Sequence, residues 1–142
     1  LYVSRTNFGA FVETFVREPA TALISSADLA ARGLSELSVT RPLRLLELMG
    51  AGLTAMGVTA LITATPEGDY NDAQAISHWA FNHPSGFDGI AYMARHDNEQ
   101  LCVALFDRAS AALTIQHGPT PWNDSVLLSQ VLSRYEQLGL TD

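Results

Sequence analysis

Between Thr6 and Arg17 the residues Phe8, Phe11, Val12, Phe15 and Val16 recur at helical spacing and form one apolar stripe. Such a segment must be a helix with one side against a core. The strand-like "LYVS" runs directly into it. Glu13 does not stand opposite the stripe, where a solvated charge belongs; it lies on the stripe's shoulder. Gly9, one turn earlier, leaves no side chain beneath it. A carboxylate at the rim of a packed face, with cleared space beside it, marks the first candidate position for chemistry.

The rest of the chain interleaves the same two periodicities. A helix boundary is expected at Glu18-Pro19, since proline disfavours helix in the residue before it. "SSADLAARG" reads as a short capped helix closed by Gly33, and "LSELSV" alternates as a strand does. "RPLRLLEL" continues as an extended or edge segment, because Pro42 cannot donate to a central ladder. "GAGLTAMG" is a short helical turn, and 63–72 is the longest loop candidate. "NDAQAISHWAFNH" makes a helix with Ile76, Trp79 and Ala80 on one face, broken from Pro84 to Gly89. Three strand candidates follow, "GIAYMA", "QLCVALFD" and "ALTIQH", with the polar turn "RHDNE" between the first two. "WNDSVLLSQVLSRYEQLG" closes the chain as an amphipathic helix with Leu128, Val131, Leu132 and Tyr135 inward. This order implies a single compact α+β domain over 1–142.

Composition narrows the function classes. At 47% apolar and 16% charged residues, the chain can build a substantial core. No apolar run approaches the roughly 20 residues of a membrane span, and no signal segment is visible. A net charge of −7 without a basic cluster argues against binding a nucleic-acid backbone. All eight basic residues are Arg, so lysine Schiff-base and phosphate-loop lysine chemistry are absent from this stretch. Cys102, the one cysteine, sits in the apolar "LCVALF" as a buried strand thiol, and a chain without a disulfide pair fits a cytoplasmic location. The four histidines are scattered, and His78 and His83 miss the i, i+4 ligand spacing, so no metal is expected. The first residue is Leu inside a strand, and upstream residues are expected to be missing from the chain.

The remaining polar candidates are few. Tyr2 precedes Glu13 by eleven residues on the strand that feeds the helix, so the two could border one cleft. Tyr92 and Arg95, in "FDGIAYMARHD", form a second polar-aromatic patch at a strand end.

"LYVSRTNFGAFVETF", "DGIAYMARHD" and "CVALFD", in that order, resemble the RES-domain family, bacterial proteins named for characteristic Arg, Glu and Ser residues. The resemblance spans essentially the whole chain and implies a fold similar to the catalytic core of ADP-ribosyltransferases. Members consume NAD by hydrolysis, phosphorolysis or ADP-ribosyl transfer, and are often toxins paired with an antitoxin. Carried over by position, Tyr2 matches the family's active-site tyrosine and Glu13 its catalytic glutamate. Gly9, Tyr92, Ala94 and Arg95 fall in the expected substrate-binding region. The family's arginine would lie before Leu1, and its serine position carries Ala94 here.

The residues suit that chemistry. Cleaving the nicotinamide–ribose bond develops positive charge on the sugar, which a fixed carboxylate stabilises. Two other readings stand beside it: a RES-like domain of impaired catalysis that binds a nucleotide or a partner, and a carbohydrate-cleaving enzyme pairing Glu13 with Asp69 or Asp88.

Overall fold

The apolar runs "GIAYMA" and "QLCVALF" form a hairpin around which the rest is arranged. In the computed structural model, which describes residues 1–16, 23–64, 71–136 and 138–141, these are β5 (Gly89–Ala94) and β6 (Asp97–Leu105). β1 (Tyr2–Ser4) pairs antiparallel with the outer edge of β6, and β4 (Leu45–Glu47) pairs parallel with β5. The result is a mixed four-stranded sheet of order β1-β6-β5-β4. The turn between β5 and β6 is shorter than "RHDNE" implies. Ala94 already pairs with Asp97, leaving only Arg95 and His96 outside the ladder. Polar side chains did not end the strand, because Asn98 and Glu99 are exposed while their backbone stays in the strand.

Helix α1 covers one face of this sheet and spans Asn7–Phe15. Thr6 caps it, its hydroxyl accepting the Gly9 N–H at 3.1 Å. The helix ends at Val16, before the expected Glu18-Pro19 boundary, which lies outside the described residues together with Arg17. Val12 packs on Ala94 and Cys102 of the sheet, with Tyr92, Tyr135 and Val16 around them. The helix's other side belongs to a second core, where Phe11 meets Ile24, Leu29, Trp122 and Val131. Being apolar toward two layers, α1 leaves only its shoulder for a charge.

The second core is closed by the chain's outer elements. α2 (Ser26–Ala31) buries Leu29 and is capped by Ser25. Gly33 does not close that helix but opens β3 (Gly33–Val39), where its bare backbone approaches Pro119. β3 pairs with β7 (Leu113–Pro121), a longer strand than "ALTIQH", in a separate ribbon. α6 (Ser125–Arg134) buries Val131 and brings Leu128 and Tyr135 against Phe11's cluster, as its periodicity requires; Leu132 is half-buried. Two short strands without a sequence signal, β2 (Leu23–Ser25) and β8 (Gly139–Thr141), join in parallel. Each fully buried large side chain here contributes about 1.5–3 kcal/mol over its exposed state.

On the far flank, "RPLRLLEL" yields only the three residues of β4 at the sheet edge. α3 (Gly50–Met56) ends on the left-handed Gly57 (φ 68°). A four-residue helix, α4 (Leu61–Ala64), occupies the start of the expected loop, whose residues 65–70 are outside the described set. α5 (Asn71–Asn82) presents Ala80 and Ile76 to Leu46, Leu48 and Ile90, whereas Trp79 is 44% exposed. No helix among the described residues is long and apolar enough to cross a membrane.

Candidate active site

Directly opposed residues of paired strands share a sheet face, and so do residues two apart on one strand. Ser4, Cys102 and Tyr92 are in register across β1, β6 and β5, and Tyr2, Ala104 and Ile90 form the next row. All six therefore face the side that α1 covers. α1 seals Cys102 and Ala94, and α5 seals Ile90. Ala104, between the two helices, is only half-buried. Its small side chain forms a partly exposed floor, with Tyr2 on one side and Tyr92 on the other. Strand spacing separates the two tyrosines' Cα positions by roughly 12 Å.

Glu13 approaches this face from α1 at Tyr92. Tyr92 Oη donates a hydrogen bond to Glu13 Oε2 at 2.9 Å. Burial, then the charge and hydrogen bond of Glu13, hold the Tyr92 phenol well above the usual tyrosine range, so it remains a donor at any working pH. Cys102 lies on the same face, its thiol pushed up to about 11 chiefly by burial. It is a packing thiol, not a nucleophile.

The sequence-derived candidates are placed differently from one another. Glu13 and Tyr92 are in direct contact. Tyr2 is 74% exposed on the edge strand of the same face. Ala94 is 2% exposed beneath Val12. Arg95 stands in the hairpin turn, about 10 Å along the strand from Tyr92. Gly9 faces the sheet, where a Cβ would fall on the Ser4 hydroxyl and crowd Gln100. Its missing side chain therefore serves helix–sheet approach, and the space beside it is not open. Gly9→Ala is expected to lower stability by about 1–3 kcal/mol, with Ser4→Ala in the same chain restoring part of the loss in a denaturant melt. Equal stability of Gly9→Ala and parent would contradict this.

Two polar groupings had no signal in the sequence. Arg134 Nη2 pairs with Asp97 Oδ2 at 3.1 Å and Glu99 Oε2 at 2.8 Å, while Tyr135 Oη donates to Asp97 Oδ2 at 2.7 Å. Burial would raise the Asp97 carboxyl, but bonds from Tyr135, the Glu99 N–H and Arg134 bring it below its ordinary value. This clamp ties the Arg95 turn to α6. Asp88, considered as an acid partner for Glu13, is instead buried in a two-pronged pair with Arg41 (2.7 and 2.9 Å) and accepts the Arg44 N–H at 2.9 Å. It is not available to Glu13. Asp69 lies outside the described residues. Among the described residues no three His, Cys, Asp or Glu side chains are placed to hold a metal ion.

Comparison with known proteins adds one result. The searches of curated proteins and of solved structures returned no match. The model of the RES domain, a family linked in general to NAD-consuming toxins, matches residues 1–123. That range takes in β1, α1, the β5–β6 hairpin and the Tyr92–Glu13 contact. The chain belongs to the RES-domain family.

Proposed function

We propose that the protein cleaves the nicotinamide–ribose bond of NAD at the floor formed by Ala104, with Tyr2 and Glu13 as the catalytic pair. The observation that carries this reading is the contact between Glu13 and Tyr92. A carboxylate fixed at the rim of an apolar face, next to a partly open floor, suits a substrate that develops positive charge.

The C1′–N bond breaks with its electron pair leaving on nicotinamide, and the sugar approaches an oxocarbenium ion. Glu13 stabilises that charge, then takes the proton of the nucleophile that bonds to C1′. Tyr2 offers a flat, exposed ring for the nicotinamide and a hydroxyl for hydrogen bonding. Arg95 is a candidate donor to the pyrophosphate through its forked guanidinium. Ala94 stands where the family carries serine. It is sealed beneath Val12, away from the exposed part of this face.

NAD loss of this kind would stop growth, which fits a cytoplasmic toxin neutralised by a partner protein that covers the floor. The test is nicotinamide release from NAD by the purified protein, freed of any bound partner, with and without inorganic phosphate. Release supports the reading, and its dependence on phosphate distinguishes phosphorolysis from hydrolysis. No release under either condition removes both, leaving transfer to a protein side chain to be sought with labelled NAD.

A further inference from the structure

We infer that Tyr92 is a positioning residue, which holds the Glu13 carboxylate in one orientation and does not itself contact NAD. The inference rests on the NAD-cleavage reading for its kinetic consequence, but its structural basis stands apart from it. A glutamate at the end of three rotatable bonds explores many orientations unless something holds it, and fixing such a side chain costs rotamer entropy. Among the described residues, Tyr92 is the hydrogen-bond partner of the Glu13 side chain. Among the described residues it is held through Oε2, and the inference assigns the second oxygen to the substrate.

The support is rigid. Tyr92 belongs to a central strand of the sheet, and its ring packs on the cluster of Val12, Ala94 and Cys102. The phenol has one proton to donate, and that proton is committed to the carboxylate at 2.9 Å. A hydrogen bond to a charged acceptor is about twice as strong as a neutral one. Tyr2, exposed and two strands away, is free of such a bond to Glu13 and is better placed for the ligand. The two tyrosines facing one floor thus divide the work, one meeting substrate and one aiming the acid.

Tyr92→Phe separates the possibilities, since it keeps the ring packing and removes only the hydroxyl. The expected result is a kcat for nicotinamide release lower by about 10- to 100-fold with KM for NAD within about twofold of parent. A raised KM at unchanged kcat would make Tyr92 a substrate contact and overturn the inference, as would unchanged values of both. A second readout needs no turnover. Carbon-13 relaxation of the Glu13 side-chain methylenes is expected to report a rigid group in the parent and a mobile one in Tyr92→Phe. Equal mobility in the two proteins would overturn the inference whatever the kinetics. A parent that releases no nicotinamide yet shows the mobility change would remove hydrolysis and phosphorolysis while the positioning role stands.

Discussion

Glu13→Gln is expected to reduce nicotinamide release from NAD by about 10²–10⁴-fold, with little change in stability. The effect is large because the amide keeps the shape of the group but removes both the charge that faces the developing oxocarbenium and the base that accepts the nucleophile's proton. The fold should persist. Glu13 is at the shoulder of α1, and the buried contacts of that helix are made by Phe11 and Val12. Tyr92 Oη can still donate to the amide oxygen, so the ring keeps its place. Release in Glu13→Gln at the parent rate, in protein with the parent's circular dichroism, would remove Glu13 from the chemistry.

The largest effect on stability is expected at Asp88. Asp88 is 5% exposed and satisfied by the Arg41 guanidinium and the Arg44 N–H, fixing the entry to β4 against the start of β5. Asp88→Ala leaves the Arg44 N–H without its acceptor and Arg41 without its counter-charge. Arg41's side chain is 47% exposed, so water recovers part of that loss. The expected cost is about 2–3 kcal/mol, or a melting temperature lower by about 5–10 °C.

The same pair sets an acid limb. Hydrogen bonds from Arg41, then from the Arg44 N–H, hold the Asp88 carboxyl at about 2, below its ordinary 3.8. A depressed carboxylate contributes stability that is full above its unfolded value and is lost as pH falls through the folded one. The difference between parent and Asp88→Ala should therefore be constant above about pH 5 and shrink between 3.8 and about 2. Denaturant melts across that range check it; a difference that does not change with pH would mean the charge is not what stabilises this corner.

How much of this could be read from the sequence depends on the range of each interaction. α1 was legible because five apolar residues at helical spacing admit one structure, and Glu13's place on the shoulder follows from the same angles. The β5 and β6 runs were legible because a strand covered on both faces is apolar throughout. β2 and β8 were not, since three residues carry no period and their partners are more than a hundred residues apart. Gly9 shows a different limit. A missing side chain reads the same whether a ligand or a neighbouring strand fills the gap, and only the Ser4 register decides for the strand. Asp88 reads in the sequence as a spare acid, because its partner Arg41 lies 47 residues away. The Tyr92–Glu13 contact spans 79 residues. Each residue could be singled out by itself, but their partnership is a property of the sheet.

A crystal structure of Glu13→Gln protein soaked with NAD decides where the dinucleotide lies, since the substitution slows cleavage without removing the floor. The nicotinamide ribose is expected over Ala104, with C1′ within about 4 Å of the residue 13 side chain and the nicotinamide against Tyr2. NAD bound elsewhere on the chain, or no NAD bound at millimolar concentration to a site left open in the crystal, would contradict the assignment of this face as the active site.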